Sequence, residues 1–216
     1  MKFIEAKVVT LGQWGVGKSA VVQRYVKKSF EPAYRNTIGT CFLFCKLNIE
    51  DINLTLQIWD TSGEERYKAI LPMYYRAGNA ILLIFDLTSY ESFTKTKTLI
   101  SELNKYCENH VVLLLIGNKL DLIERREVSE KEAKEFASSI DVSYYEVSAL
   151  TNYGIDDVFQ KVASELVNLI KQGKKTSMNF YQCEKLVDRS QKQIIKVLSD
   201  SNQVNEKKRK KKCSCQ

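Results

Sequence analysis

The sequence predicts an α/β domain built on a doubly wound, mostly parallel, six-stranded sheet with one antiparallel strand. Strand-like runs alternate with helical patterns along most of the chain, which is typical of a parallel sheet covered by helices on both faces. Two continuous apolar runs, residues 80–86 and 111–118, have the character of strands buried on both sides. With 216 residues and 44% hydrophobic content, the chain can bury the core of one such domain.

The predicted elements follow one another in a regular order. Strands are expected at residues 3–11, 40–49, 53–59, 80–86, 111–118 and 142–147, and helices at residues 18–28, 92–107, 129–138 and 154–171. Glu50 and Asp51 form a plausible hairpin turn, so the second and third strands are expected to be antiparallel. Ser129 and Glu132 have the spacing of a capping box, which predicts a helix start there.

The chain divides into a predicted folded domain, residues 1–173, and a tail, residues 174–216. Ser, Asn, Gln and Lys dominate the tail, so we expect it to be flexible. A weak amphipathic helix is the alternative, formed by Phe180, Leu186, Val187, Ile194, Ile195 and Leu198. No apolar run approaches the ~20 residues that span a bilayer, and charged residues interrupt the first segment, where a secretory leader would lie. We therefore expect a cytosolic protein.

Positive charge is concentrated in one part of the tail. Residues 207–216 hold six Lys or Arg side chains and no acid, which accounts for most of the formal net charge of +7. A basic tail on a nearly neutral domain indicates a membrane anchor or an address rather than a nucleic-acid-binding body. A nuclear-localisation or RNA-binding run is the alternative, but it gives no role to the neighbouring Cys213 and Cys215.

A phosphate-loop pattern follows the first predicted strand and opens the first predicted helix. Glycines allow the backbone to turn so that successive N–H groups face phosphate oxygens, and the helix N-terminus adds positive potential. Lys18 places its charge between the β- and γ-phosphates, and the hydroxyl of Ser19 is a ligand for Mg²⁺. The segment predicted to hold the phosphates is Gly12, Gln13, Trp14, Gly15, Val16, Gly17, Lys18, Ser19 and Ala20.

The third predicted strand ends in a second motif, Asp60-Thr61-Ser62-Gly63. An acid at a strand end that faces a phosphate loop is placed to hold Mg²⁺ through water, which is the predicted role of Asp60. Gly63 offers a backbone N–H where a γ-phosphate would lie. This motif is weak alone and strong after a phosphate loop.

Two further loops predict recognition of guanine. The first, Asn118-Lys119-Leu120-Asp121, follows the fifth predicted strand. Asp121 can accept hydrogen bonds from the N1–H and 2-amino groups of guanine, and adenine lacks both donors. Lys119 is expected to lie along the base and to reach back to the phosphate loop. The second loop follows the last strand and can present backbone N–H groups to the guanine O6: Ser148, Ala149 and Leu150.

These four motifs, in this order, resemble those of a Ras-superfamily small GTPase over residues 3–172, which implies the P-loop NTPase (small G-protein) fold. Features similar to Rab proteins in particular are Thr37-Ile38-Gly39, Trp59-Asp60-Thr61 with Glu65-Arg66-Tyr67, and Tyr74-Tyr75-Arg76. The longer run over residues 66–76 is similar to the early-endosomal Rab subgroup. The lack of a long insertion after Asp121 argues against the Rho branch.

The resemblance implies further site residues. Phe30 takes the position of an aromatic that stacks on guanine, and Tyr34 lies in the first switch with Thr37. Thr37 is implied to bind Mg²⁺ only while the γ-phosphate is present. Residues 64–76 are the second switch, and loss of the γ-phosphate releases both segments. The implied metal ligands are Ser19, Thr37 and Asp60.

The resemblance also implies the function. We expect the chain to bind GTP or GDP with Mg²⁺, to hydrolyse GTP, and to recruit effectors through both switches in intracellular vesicle traffic. The other expected partners are a guanine nucleotide exchange factor, a GTPase-activating protein, a GDP-dissociation inhibitor and a prenyltransferase, with no nucleic acid. The residues with implied catalytic roles are Lys18, Gly63 and Glu64.

Three positions depart from the family pattern. Glu64 stands where the family has a Gln that orients the attacking water; a carboxylate cannot donate to the γ-phosphate, and its charge opposes the developing negative charge. Trp14 replaces a small residue, and its indole could obstruct an arginine finger. Leu150 replaces a Lys, with little expected effect because that loop acts through its backbone. We therefore expect slow or atypical hydrolysis; the alternatives are a module that holds nucleotide but rarely hydrolyses it, and a Ras-type signalling GTPase.

Cys213 and Cys215 are the expected lipidation sites. Residues 213–216 fit a four-residue prenylation box, for which Gln216 suggests farnesyl, and they also fit a paired-cysteine ending that takes two geranylgeranyl groups. One lipid chain holds a membrane only marginally, so the basic run supplies a second signal. We expect a lipid-anchored protein on the cytoplasmic face of an intracellular membrane, with endosomes among the candidates, or of the plasma membrane, and a cytosolic pool.

Overall fold

The computed structural model describes residues 2–31, 37, 39–64, 71–106, 111–174 and 178–182. Within these residues the strands are β1 Lys2–Leu11, β2 Thr40–Ile49, β3 Ile52–Thr61, β4 Ala80–Asp86, β5 Val112–Asn118, β6 Ser143–Glu146 and β7 Asn179–Gln182. The α-helices are α1 Lys18–Lys27, α2 Leu71–Tyr75, α3 Tyr90–Tyr106, α4 Glu130–Ser139 and α5 Ile155–Lys171. A 3₁₀ helix, Leu120–Arg125, follows β5. None of the helices in these residues is long and apolar enough to span a membrane.

The seven strands form one sheet, in which six follow the order β2-β3-β1-β4-β5-β6 and β7 pairs with β1. β1 pairs in parallel with β3 and β4, and β5 pairs in parallel with β4 and β6. β2 alone of these six is antiparallel, to β3. The predicted doubly wound, mostly parallel sheet with one antiparallel strand is therefore confirmed.

Two local predictions are also confirmed. Glu50 and Asp51 form the turn between β2 and β3, with Glu50 at a positive φ of 52°. The side chain of Ser129 caps α4, since its Oγ accepts a hydrogen bond from the backbone N–H of Glu132 at 3.2 Å. Each of these contacts spans only a few residues, which is why the local pattern could predict it.

Two apolar cores lie on opposite faces of the sheet, because successive strand residues point to alternating sides. On one face Val8 packs with α1 and α5 through residues such as Val22 and Val162. On the other face Val9 packs with α3 and α4 through residues such as Phe93. All the residues of β4 are buried, as its continuous apolar run predicts. This sandwich brings the carboxyl ends of β1, β3, β4 and β5 to one edge, where the predicted motifs lie.

The start of the tail differs from the prediction of a flexible linker or a weak amphipathic helix. Residues 179–182 form β7, which runs antiparallel to β1 and pairs Asn179 with Glu5 and Gln182 with Lys2. β4 pairs only with residues 8–11 of β1, so β7 supplies hydrogen-bond partners to backbone groups that β4 does not reach. Met178 is buried in the core beneath α5. Residues 183–216 lie outside the described residues.

Candidate nucleotide-binding site

The predicted site residues converge on one cleft at the carboxyl edge of the sheet. The cleft has a volume of about 570 Å³, and the predicted residues that line it are Trp14, Gly15, Gly17, Lys18, Ser19, Ala20, Phe30, Thr37, Gly63, Asn118, Lys119, Asp121, Ala149 and Leu150. Gly12, Gln13 and Glu64 line a second cavity of about 140 Å³ beside α3. The side chains of Asp60 and Ser148 are buried and bond to residues of the cleft. Tyr34, Cys213 and Cys215 lie outside the described residues.

Two glycines of the phosphate-loop pattern are required by close approaches to other strands. Gly12 has a φ of 149°, and a Cβ atom there would collide with the carbonyl oxygen of Ile84 on β4. Gly17 has a φ of 91°, and a Cβ atom would collide with Nδ2 of Asn118 on β5. Asn118 Nδ2 in turn donates to the carbonyl oxygen of Val16 at 2.9 Å. The loop is thus fixed directly against the ends of the central strands.

Lys18 is a buried cation at the centre of the loop. Its Nζ donates to the carbonyl oxygens of Gly12 at 2.9 Å and Gln13 at 3.0 Å. Burial lowers the pKa of Lys18 to about 8, and the nearby Asp60 carboxylate partly offsets this. A desolvated positive charge enclosed by main-chain groups favours an anion beside it.

Three hard oxygen donors form a group next to Lys18. The hydroxyls of Ser19 and Thr37 are 2.8 Å apart. Burial raises the pKa of Asp60, while hydrogen bonds from Ser19 and Thr10 and the charge of Lys18 act in the opposite direction. No group of three or more His, Cys, Asp and Glu side chains that could hold a metal ion occurs in the described part of the chain. A set of two hydroxyls and one carboxylate fits Mg²⁺, which keeps waters in its remaining coordination positions.

Hydrogen bonds connect the predicted guanine loops to each other. Asn118 Oδ1 accepts from the backbone N–H of Ala149 at 3.3 Å, so this side chain joins the phosphate loop to the loop after β6. Asp121 Oδ1 accepts from the hydroxyl of Ser148 at 2.5 Å. The carboxylate of Asp121 is thereby oriented at the rim of the cleft, as reading a base edge would require.

Lys119 lines the cleft, and the prediction that it lies along the base and reaches the phosphate loop stays a prediction. Its Nζ forms an ion pair with Oδ2 of Asp86 at 2.5 Å. The other carboxylate oxygen of Asp86 accepts from the backbone N–H and the hydroxyl of Thr88. Asp86 ends β4 next to β5, so the nearest partner of the ammonium is an acid that the loop motifs do not include. The sequence did offer a signal, since Asp86 closes a buried strand on the same edge of the sheet.

Arg24 is a second residue of the site that the sequence analysis does not single out. It lies on α1, and its guanidinium contacts the carbonyl oxygens of Ala149 and Leu150. No motif contains it, because the contact joins positions about 125 residues apart. From the sequence alone, an Arg on a helix is expected to be an ordinary solvated side chain.

The second motif approaches the phosphate loop closely. A Cβ atom on Gly63 would collide with the backbone N of Trp14 and with Nζ of Lys18, so a side chain at Gly63 is sterically excluded. Glu64 follows, and its backbone N–H donates to the hydroxyl of Ser62 at 3.3 Å. The indole of Trp14 is half-exposed at the edge of the cleft. Gly63 and Trp14 thus lie at the end of the cleft that holds Lys18, and Glu64 lines the adjacent second cavity.

An aromatic surface formed by β2, β3 and α2 lies outside the cleft. The half-exposed ring of Phe42 packs edge-on against Trp59 with centroids 5.4 Å apart, and Trp59 contacts Tyr74 at 5.8 Å. The Nζ atom of Lys7, on the neighbouring strand β1, lies 4.7 Å from the centroid of the Trp59 ring. We name Phe42, Trp59 and Tyr74 the aromatic surface.

The sheet, the glycine-rich loop and the oxygen cluster define a P-loop nucleotide-binding protein with the small G-protein fold. A family model described as the Ras family matches residues 7–168. The chain is 39% identical to Ras-related protein Rab-30 of Homo sapiens over 166 residues, which is 77% of this chain and 82% of that protein. It is 40% identical to Ras-related protein Rab-21 of Canis lupus familiaris over 161 residues, 74% of this chain and 72% of that protein. The chain therefore belongs to the Ras family, in its Rab branch, and is a GTPase.

Proposed function

We propose that this chain binds GDP and GTP together with Mg²⁺ in the cleft and works as a conformational switch that recruits effectors. One observation carries the proposal: a single cleft holds a buried cation at one end and an oriented carboxylate at the other. Lys18 supports the phosphate end, and Asp121, held by Ser148, supports the base end. A guanosine phosphate has the matching charge and hydrogen-bond donors.

Each end of the cleft has a proposed task. The oxygens of Ser19, Thr37 and Asp60 would hold the metal, which would neutralise part of the negative charge of the phosphates. Because Thr37 lies outside the secondary structure elements, its contact with Ser19 can form when GTP is bound and break when the γ-phosphate is lost. At the other end, Asp121 accepts from guanine and the ring of Phe30 stacks on the base. Tyr34 remains a predicted contact of the first switch.

Competition between nucleotides tests the binding proposal. Protein freed of nucleotide with EDTA is loaded with a fluorescent GDP analogue in the presence of Mg²⁺, and GDP, GTP or ATP is then added. We expect micromolar or tighter affinity for GDP and GTP and no displacement by ATP. Displacement by ATP at the same concentration would exclude guanine recognition by Asp121.

We propose that intrinsic GTP hydrolysis is slow. Glu64 adds a negative charge where the transition state develops negative charge, and it has no N–H to donate to the γ-phosphate. The indole of Trp14 is half-exposed at the edge of the cleft, where we expect it to obstruct an activating arginine. Chromatography of the co-purified nucleotide is the first test: mostly GDP supports a cycling switch, and mostly GTP supports a module that rarely hydrolyses its nucleotide.

A substitution gives the second test of slow hydrolysis. Glu64→Gln should raise the single-turnover rate at least about tenfold, because it restores a donor and removes a charge. Glu135→Gln, on the exposed face of α4, is the matched control and should leave the rate unchanged. A wild-type rate that equals the Glu64→Gln rate would contradict the role given to Glu64.

The proposed partners read the switches. The aromatic surface includes Tyr74 of the second predicted switch and the half-exposed ring of Phe42, and exposed aromatic area is typical of protein-binding sites. Loss of the γ-phosphate would loosen Thr37, which precedes β2, and Gly63, which follows β3, so effector binding should depend on GTP. An exchange factor, a GTPase-activating protein and a GDP-dissociation inhibitor would act on the same region in vesicle traffic.

We further propose that the folded domain is followed by a lipidated basic tail. Cys213 and Cys215 are the lipid acceptors, and the run over residues 207–212 adds attraction to an anionic membrane. The protein would then sit on the cytoplasmic face of an intracellular membrane or of the plasma membrane, after a prenyltransferase has acted. Mass spectrometry of the C-terminal peptide distinguishes one farnesyl from one or two geranylgeranyl groups, and an unmodified peptide from cells would contradict lipid anchoring.

A further inference from the structure

One guanidinium connects α1 to the loop after β6. Nε of Arg24 donates to the carbonyl oxygen of Ala149 at 2.7 Å, and Nη2 donates to the carbonyl oxygen of Leu150 at 2.7 Å. Two donors of one rigid, planar group therefore hold two successive carbonyls. Such charge-assisted hydrogen bonds are stronger than those between neutral groups, and the fork geometry fixes direction as well as distance.

The contact with Ala149 determines where a neighbouring donor points. A trans peptide is planar, with its N–H directed away from its C=O. The N–H in the same peptide plane as the Ala149 carbonyl belongs to Leu150, and this is one of the groups predicted to face the guanine O6. The next peptide is fixed at both ends, because its carbonyl is held by Arg24 and its N–H, from Thr151, donates to Ser148 Oγ at 3.1 Å.

The same guanidinium also contacts the predicted stacking residue. The Cζ atom of Arg24 lies 5.7 Å from the ring centroid of Phe30, within the range of a cation–π contact. Phe30 and Leu150 both line the cleft. Since α1 begins at Lys18, one helix carries the buried cation of the phosphate end and, six residues later, the side chain that holds both of these base contacts.

We propose that Arg24 is a positioning residue for guanine: it holds the N–H of Leu150 and the ring of Phe30 where contact with O6 and stacking on the base require them. It thereby sets how long the nucleotide stays bound and how strongly the 6-oxygen is preferred. The inference rests on the proposed binding of guanine nucleotide in this cleft. Asp121 accepts from the neighbouring N1–H and 2-amino groups of the base, and its carboxylate is oriented by Ser148 rather than by Arg24.

Because O6 and the 2-amino group are contacted by different parts of the protein, each can be tested with its own nucleotide analogue. Arg24→Ala and Arg24→Lys are compared with wild type for the dissociation rate of a fluorescent GDP analogue and for relative affinity towards GDP, 6-thio-GDP and IDP. Replacement of the 6-oxygen by sulfur probes the loop after β6, and removal of the 2-amino group in IDP probes Asp121. Lys28→Gln is the matched control, since Lys28 is another basic residue at the end of α1 and pairs with Asp156 instead.

We expect Arg24→Ala to release GDP about tenfold faster, because it loses two charge-assisted hydrogen bonds. Its preference for GDP over 6-thio-GDP should fall several-fold, while its preference for GDP over IDP stays at the wild-type value. Arg24→Lys keeps the charge but not the fork, so it should show the same pattern to a smaller extent, and it carries the test if Arg24→Ala does not fold. Lys28→Gln should match wild type in all three measurements.

Two results would overturn the proposal. One is wild-type dissociation and wild-type preferences in both Arg24 variants. The other is an equal loss of preference over 6-thio-GDP and over IDP, since that pattern indicates general loosening of the fold rather than positioning at O6. Wild-type protein without affinity for GDP would instead refute the proposed function, and that result is visible before any variant is made.

Discussion

Replacing Lys18 by Met should raise the stability of the nucleotide-free protein and lower its affinity for nucleotide. The Lys18 side chain is 5% exposed, and burial lowers its pKa from 10.5 to about 8. A lowering of that size corresponds to about 3 kcal/mol against keeping the charge buried. Met removes this cost but also gives up two hydrogen bonds to main-chain carbonyls, worth about 1 kcal/mol each. At pH 7 we therefore expect the nucleotide-free variant to be more stable than wild type by about 1 kcal/mol.

The stability difference between wild type and Lys18→Met should change with pH, because Lys18 titrates at different pH values in the folded and unfolded forms. Below pH 8 the folded and unfolded forms of wild type both hold the Lys18 proton, and the cost of burial is complete. Between about pH 8 and 10.5 the unfolded form holds a proton that the folded form has released, so wild-type stability rises with pH. From pH 7.5 to 9.5 the advantage of Lys18→Met should therefore shrink by about 2 kcal/mol and reverse sign.

Urea denaturation followed by circular dichroism, in EDTA and without nucleotide, measures these differences. Lys28→Met, on the exposed end of the same helix, is the control and should show no such pH-dependent reversal. GDP affinity of Lys18→Met should fall at least about 100-fold, because the phosphates lose a charge-assisted partner. Two results would contradict this reasoning. One is a loss of about 1 kcal/mol or more in the stability of nucleotide-free Lys18→Met at pH 7, since the burial cost of about 3 kcal/mol exceeds the hydrogen bonds of about 2 kcal/mol. The other is a stability difference that does not vary with pH.

Three further substitutions test other parts of the site. Asp121→Asn should lose GDP affinity at least about 100-fold and gain affinity for xanthosine diphosphate, whose 2-oxo group accepts from an amide, as competition titration would show. Gly17→Ala adds a Cβ atom against Asn118 at a positive φ, so it should lower the free energy of unfolding by about 2 kcal/mol in thermal denaturation; an unchanged midpoint would contradict the packing. Thr37→Ala should weaken Mg²⁺ binding with a GTP analogue much more than with GDP, and equal weakening in Mg²⁺ titrations would exclude a γ-phosphate-dependent ligand.

Much of the fold and the site could be predicted because their signals are local. The buried run of β4 and the turn at Glu50 each depend on a few adjacent residues. The phosphate loop is equally local, since the glycines, Lys18 and Ser19 lie within one short segment. The alternation of strands and helices then fixes which strand ends meet, and this brings Asp121 to the same cleft. A motif at a strand end could therefore be placed without knowledge of its contacts.

The features that the sequence did not predict depend on contacts between distant positions. Arg24 meets the loop after β6, and Lys119 turns to Asp86; neither pairing leaves a periodic pattern. β7 forms because β1 extends beyond the start of β4, and the length of that uncovered edge can be read only from the register of the sheet. Residues 179–182 are too few to produce a strand signal against their polar surroundings.

The most direct test of guanine-nucleotide binding is a calorimetric titration of nucleotide-free protein with GDP and with ADP, in Mg²⁺ and again in EDTA. We predict one site per chain with micromolar or tighter affinity for GDP, a marked loss of that affinity in EDTA, and no measurable heat with ADP. Equal binding of ADP, or GDP binding that is indifferent to Mg²⁺, would contradict the roles given to Asp121 and to the oxygens of Ser19, Thr37 and Asp60.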